Sequence, residues 1–516
     1  MTSGIHHVTL ITAEVQANVD FYVGFLGLRL VKRTGGYEDP RQLHLFYGDH
    51  AASPGALLTF LVWQGGSSGQ AGAGQASEVA LAIAPGSTGF WLERALRQQV
   101  KVEGTGQEFG ESVLRLRDPD GVMIKLVGAA LPALDMPRGD IPPEHAIRRI
   151  RGATLLSDVQ EETVDFLTRH FGFRAGASEG PVRRLLSDAG DVLDIRDAGG
   201  FWPAAPGTGT IDHVALRAAD AAKVEAVERA LRQRNASLTN LHDRNYFTSL
   251  YVREPGGILI EMASDGPGFT VDEPVEALGT TLFVPPDTPD PEAVRVMLPQ
   301  FGLPGEERVI YRDLIYTHRF HTPAAPDGTT LVLLHGTGGD EADLMPLGHR
   351  AAPHATLLGL RGRSTESGVR RWFMSLAPTI PDQADVRFEA GALAAFFEEA
   401  RKAYGLDEAK LVGLGYSNGA NLLGAALLLH PGLVRRAVLI RPVMALDAAP
   451  GLDLSGHEVL VLAGSKDAYR GESEKLAAAL GDAGAAVTLR VLEAGHGIGD
   501  EDAPAIGEWL AGERPK

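Results

Sequence analysis

Cysteine is absent from the 516 residues. Disulfides and thiolate chemistry are therefore excluded, and any metal must be held by His, Asp or Glu. Basic charge is in deficit: 48 Lys and Arg stand against 66 Asp and Glu, a formal net charge of −18. That argues against a nucleic-acid partner, which needs a basic surface. No stretch approaches the roughly 18 uninterrupted apolar residues of a membrane helix. The N-terminus also lacks the basic start and apolar core of a signal peptide. The expectation is a cytoplasmic protein with no membrane partner. What is present is ordinary for a soluble chain, with 44% apolar and 22% charged residues, and the length allows two to four domains.

The first half repeats itself. "TLITAEVQANVDFY" from Thr9 answers "TLLSDVQEETVDFL" from Thr154 without a gap, and "EVALAIAPGSTGFWLERALRQ" from Glu78 answers "HVALRAADAAKVEAVERALRQ" from His213. The closings "RDPDGVMIKL" at Arg117 and "REPGGILIEM" at Arg253 match as well. Four units are expected, at about 1–75, 76–130, 146–205 and 208–265. Each reads as a strand, an amphipathic helix and several short strands.

The opening "GIHHVTL" sets two histidines side by side on an apolar strand. Neighbours on a strand point to opposite faces, so one of His6 and His7 should face inward and the other away. The fourth unit opens Ile211-Asp212-His213-Val214, which aligns His7 with His213 and makes His7 the inward residue. In the closing strand of that unit, alternation sets Glu261 among apolar neighbours, where an unpaired carboxylate is expensive. His7, His213 and Glu261 thus form a candidate metal set. The corresponding positions in the other two units, Gly152, Glu78 and Lys125, offer no equivalent. Two His and one carboxylate with open positions suit Fe(II) in oxygen chemistry, and also Mn(II).

Tandem units with "H-V-x-L" openings and "P-x-G-x-x-x-E" closings resemble the vicinal oxygen chelate superfamily of glyoxalases, bleomycin-resistance proteins and extradiol dioxygenases. More narrowly, "DRNYFTSLYVREPGGILIE" (Asp243 to Glu261) and the following "DGPGFTVDEPVEALG" resemble the hydroquinone ring-cleaving dioxygenases. The resemblance implies βαβββ modules, the same three ligands, and supporting roles for His6, Thr9, Arg244 and Tyr251 in catalysis. Where that family often carries a second histidine beside the fourth-unit ligand, this chain has Asp212. The implied partners are an aromatic para-diol and O2. Two alternatives compete for the same half: a glyoxalase-like metal isomerase, and a metal-free module that sequesters aromatic compounds. Retention of all three ligand types disfavours the second.

The Pro-rich "PPDTPDPEAVRVMLPQFGLP" (Pro285 to Pro304) reads as a tail running into a linker, dividing a domain at 1–304 from another at 305–516. Beyond it, runs such as "TTLVLLHG", "AKLVGLG", "EVLVLAG" and "VTLRVLEAG" read as buried parallel strands separated by helices, a doubly wound α/β-hydrolase sheet. "GLGYSNGAN" contains G-x-S-x-G at Ser417, after a strand and before a helix, which is the context of a nucleophile elbow. Asp467 and His496 end the next candidate strands in the order Ser, Asp, His. "LLHGTGG" offers backbone N–H groups, with Thr337 and Asn418 the expected oxyanion donors. This half resembles the phospholipase/carboxylesterase branch of the α/β-hydrolases, which implies a small acyl ester as substrate. The whole reads as a bifunctional enzyme, with homo-oligomerisation left open.

Overall fold

The fourfold repeat becomes two pairs of modules, each pair sharing one sheet. A computed structural model of the chain describes residues 4–132, 139–233, 239–377 and 380–512. The first and fourth modules build a nine-stranded sheet in which Ile5–Thr12 lies antiparallel to Ile211–Ala218. The second and third build an eight-stranded sheet in the same way, with Gln75–Ile83 against Arg149–Ser157. The expected helices run over Thr88–Arg97, Gln160–Phe171 and Ala221–Gln233. In the first module Val15–Val19 continues as a π-helical stretch, Asp20–Phe25.

The matched closing turns have matched physics. In the second module Asp118 accepts the N–H groups of Asp120 (3.1 Å) and Val122 (2.7 Å) and the Tyr22 hydroxyl (3.0 Å). In the fourth, Glu254 accepts Ile258 N–H (2.9 Å) and the Thr163 hydroxyl (2.5 Å). Each buried carboxylate ties its turn to the first helix of another module.

The second unit has a seven-stranded sheet. Six strands are parallel: Thr356–Leu360, Thr330–Leu334, Leu411–Tyr416, Arg436–Ile440, Glu458–Gly464 and Ala486–Leu492, in that spatial order. Successive residues serve opposite faces. Val332 and Leu334 join a core with helices Gln383–Tyr404 and Asn418–Leu429, while Leu331 and Leu333 join one with Met345–Ala351 and Asp502–Leu510. Both faces are covered, which is why these strands read as unbroken apolar runs. Two details differ from the sequence reading. Ala486–Leu492 is an edge strand and half-exposed rather than buried. An antiparallel strand, His318–His321, adds to the opposite edge.

The Pro-rich stretch is not wholly irregular. It contains a helix, Pro291–Met297, capped by Asp290, whose carboxylate accepts Ala293 N–H at 3.0 Å. Residues Asp290–Gln300 belong with the second unit, whereas Phe301–Arg308 belong with the first. No helix of the described residues is long and apolar enough to cross a membrane.

Burial, helped by the charge of Asp120, pushes the Asp118 carboxyl up to about 7. A carboxyl raised in the folded state contributes stability that is complete below its unfolded pKa and is lost as pH rises through the folded value. Asp118→Asn keeps the acceptor for the turn and offers an N–H to Tyr22. The variant should therefore gain on the wild type in melting temperature as pH rises from about 4 to about 7. A parallel pH dependence of the two proteins in calorimetry would contradict this.

Candidate functional sites

His7, His213 and Glu261 come together from the strands Ile5–Thr12, Ile211–Ala218 and Leu259–Pro267, all three buried, with one ligand atom of each within 4.8 Å of the others. The two Nε2 atoms approach Glu261 Oε2, at 3.2 Å from His7 and 2.7 Å from His213. Even so, His213 Nε2 and Glu261 Oε2 make no hydrogen bond of acceptable direction. Buried polar atoms converging without bonding each other suit ligands around a cation, and the donor set of two imidazoles and one carboxylate fits a divalent first-row metal. Glu261 Oε1 takes a 2.5 Å hydrogen bond from Ser249. Burial alone would raise this carboxyl, but the two imidazoles hold it well below the usual carboxylate range.

The expectation that His6 and His7 face opposite ways is overturned. Both are buried, and their Nδ1 atoms lie 2.9 Å apart. The cause is a β-bulge: Ile5 pairs with Leu216 and His7 with Ala215, so His6 is an extra residue. A second bulge makes Asp212 the extra residue, since Thr9 pairs with His213 and Leu10 with Ile211. Asp212 Oδ2 lies 2.6 Å from His213 Nδ1. Each bulge thus brings the preceding side chain onto the Nδ1 of a candidate ligand and leaves Nε2 for the metal. His6 is lowered to about 3, by burial first and then by His7, so it is neutral at pH 7. His213 is disfavoured as a cation by burial, yet Asp212 and Glu261 raise it to about 9. Sequence reasoning passed over Asp212 as a departure from a pattern; its position next to the ligand was the available signal.

The sheet wraps a cavity of about 480 Å³ lined by His7 and His213 and walled by Phe46, Phe247 and Trp63. Thr9, Arg244 and Tyr251 all line it. Thr9 Oγ1 lies 2.8 Å from Thr59 Oγ1. Arg244 pairs with Glu38 at 2.9 Å and stands 5.6 Å over the Tyr251 ring. The Tyr251 ring meets that of His213 edge-on at 5.4 Å. Burial and then the charge of Glu261 push the Tyr251 hydroxyl above its ordinary range.

The other sheet carries the same register with different chemistry. By strand pairing, Gly152 corresponds to His7, Glu78 to His213, Lys125 to Glu261, Arg115 to Tyr251 and Asp194 to Thr59. Lys125 Nζ lies 2.9 Å from Glu108, 3.4 Å from Glu78 and 3.8 Å from Asp194. Arg115 holds Glu78 at 2.9 Å, and Arg184 holds Asp194 at 2.8 Å. A Cβ at Gly152 would meet the Val192 carbonyl oxygen at 2.3 Å, so no side chain fits there. These carboxylates are neutralised by ammonium and guanidinium groups of the chain itself.

In the second unit Ser417 sits between strand Leu411–Tyr416 and helix Asn418–Leu429 at φ 49°, ψ −117°. A non-glycine residue reaches this left-handed region only where the surroundings force it. Here they do: a Cβ at Gly415 would lie 2.7 Å from Ala420 Cα, and one at Gly419 would lie 2.3 Å from the Leu334 carbonyl oxygen. Ser417 Oγ lies 2.9 Å from His496 Nε2, and His496 Nδ1 lies 2.9 Å from Asp467 Oδ2. The other Asp467 oxygen accepts Tyr469 N–H at 2.9 Å. The Tyr416 hydroxyl donates to the His496 carbonyl at 3.2 Å and steadies that loop. Asn418 is the first helical residue, so its backbone N–H has no acceptor within the helix. Its side-chain oxygen accepts Trp372 N–H at 2.8 Å. Thr337 is exposed and follows Gly336, where a Cβ would stand 3.7 Å from Ser417 Cβ.

Residues 4–126 and 149–262 match the Glyoxalase/Bleomycin resistance protein/Dioxygenase superfamily. The chain is 36% identical over 313 residues to MhqO of Bacillus subtilis (strain 168), which bears the name of a ring-cleaving dioxygenase; the match covers 60% of this chain and 98% of MhqO. It is 34% identical over 302 residues, 55% of this chain and 91% of the relative, to a chlorohydroquinone/hydroquinone 1,2-dioxygenase of Sphingobium indicum. A further match, 34% identical over 181 residues, spans 35% of this chain and 90% of MhqD of B. subtilis (strain 168), which bears the name of a hydrolase. The chain therefore belongs to the Glyoxalase/Bleomycin resistance protein/Dioxygenase superfamily, as a ring-cleaving dioxygenase fused to a hydrolase of the α/β-hydrolase fold.

Proposed function

We propose that His7, His213 and Glu261 hold one Fe(II), or Mn(II), and that the first unit uses O2 to open the ring of a hydroquinone-type diol. The observation that carries this is the convergence of three buried side chains, with His213 Nε2 and Glu261 Oε2 left without hydrogen bonds, where His7 and His213 line an aromatic-walled cavity. The hydroquinone dioxygenase relative supports the substrate class. A redox metal bound there would lower the pKa of a coordinated phenol and let charge pass from ring to oxygen. The chain's own residues do the rest. Phe46 and Phe247 wall the space for the ring. Arg244 and Tyr251 offer donors to developing negative charge. Asp212 fixes the His213 ring by its Nδ1, as His6 does for His7. Thr9 sets the hydroxyl row beside the ligands.

In the second unit we assign Ser417 as nucleophile toward a small acyl ester. His496 Nε2 takes the Ser417 proton and later returns it to the leaving alcohol, while Asp467 orients the imidazole and stabilises its charged form. The N–H groups of Thr337 and Asn418 receive the developing oxyanion.

Metal analysis of His213→Ala should show the bound metal lost and hydroquinone-dependent oxygen uptake abolished; retention of stoichiometric metal would contradict the ligand assignment. Asp212→Ala should keep the site but weaken metal affinity by about 10–100-fold in chelator competition, as removal of a ligand's outer partner does, and unchanged affinity would deny Asp212 that role. Ser417→Ala should lose p-nitrophenyl acetate hydrolysis by a factor on the order of 10³ or more, with oxygen uptake intact. Esterase activity surviving the substitution would remove Ser417 from the mechanism.

A further inference from the structure

The cavity contains a histidine to which neither the ligand set nor the supporting residues assign a task. His44 lies on the strand Leu43–Gly48 and lines the cavity. Strand pairing sets His213, Thr9, Thr59 and Phe46 in one row across four neighbouring strands. His44 is two residues from Phe46, so it faces the same way. It therefore stands on the third strand from the one that carries His213. Its ring packs at 4.2 Å on Phe46.

The polar edges of this imidazole are not equivalent. His44 Nε2 lies 3.1 Å from Thr59 Oγ1, which lies 2.8 Å from Thr9 Oγ1. The two hydroxyls and the ring form one chain, and its direction fixes the His44 tautomer. In one direction Nδ1 carries the proton; in the other it carries a lone pair. In both, Nε2 is engaged and Nδ1 has no partner among the described residues. Burial, and then the charges of His7 and His213, lower His44 to about 3, so the ring is uncharged at neutral pH.

We propose that His44 Nδ1 hydrogen-bonds the hydroxyl of a para-diol that lies remote from the His7–His213–Glu261 cluster, and thereby sets a preference for diols over simple phenols. This rests on the hydroquinone reading of the same cavity. A phenolic hydroxyl both donates and accepts, so it satisfies either tautomer. A ligand without the second hydroxyl covers Nδ1 and leaves it unpaired, which costs more than a neutral contact would gain. The Phe46 stack and the Thr59 bond hold the ring in place, so His44 acts as a positioning residue.

The test is calorimetric titration of hydroquinone and of phenol, without oxygen, into the metal-loaded full chain and into His44→Phe, His44→Asn and His44→Gln. Phe keeps the stack on Phe46. Asn presents an amide where Nδ1 was, and Gln one where Nε2 was. The wild type should bind hydroquinone on the order of tenfold more tightly than phenol. His44→Phe and His44→Gln should lose that preference, His44→Asn should retain much of it, and metal content should stay constant throughout. A preference preserved in His44→Phe, or absent from the wild type, would overturn the proposal. Oxygen uptake by the wild type separates the two readings: turnover of hydroquinone with the preference preserved in His44→Phe defeats the His44 assignment alone, whereas a wild type that neither binds nor turns over hydroquinone defeats both.

Discussion

A carboxylate with no exposure to solvent has to be compensated, and Glu261 is such a group. Removing a charge of this size from water costs several kcal/mol. Two imidazoles, one hydroxyl and the geometry of three strands are arranged around it. At the corresponding place in the other sheet the sign is inverted: Lys125 is the buried charge, and carboxylates gather about it. One fold, used twice in a chain, thus solves the same electrostatic problem in two ways. One sheet closes its charges internally with Lys and Arg. The other leaves a negative, imidazole-flanked centre suited to an external cation.

The strands that carry His7 and His213 owe their detail to bulges rather than to regular pairing. Without the extra residue at His6, alternation would send that ring away from His7; without the one at Asp212, the carboxylate would not reach His213 Nδ1. The second sheet repeats both irregularities: Arg151 and Ser77 are the skipped residues there. The bulges belong to the module, and the chemistry depends on which residue occupies them.

This explains what the sequence could reveal. The four modules, the meeting of His7, His213 and Glu261, and the meeting of Ser417, Asp467 and His496 were legible, because each rests on repeats or on residues placed at strand ends. The pairing of the first module with the fourth is what brings His7 together with His213 and Glu261. The shared orientation of His6 and His7 was not legible, since a bulge leaves no mark in a period-two pattern. His44 was hidden for a different reason. Its connection runs through Thr59, which lies 15 residues on and shows no motif. In the second unit the elbow at Ser417 was readable because glycines at both flanks are sterically required. The exposed edge at Ala486–Leu492 was not, because its apolar run resembles that of a central strand.

Anomalous diffraction at the iron edge, from crystals of the Fe(II)-loaded chain grown without oxygen, tests the central claim most directly. The account predicts one strong peak in the first unit, enclosed by His7 Nε2, His213 Nε2 and a Glu261 carboxylate oxygen, and none beside Glu78 and Lys125. A peak within the Lys125 cluster, or none among His7, His213 and Glu261, would contradict it.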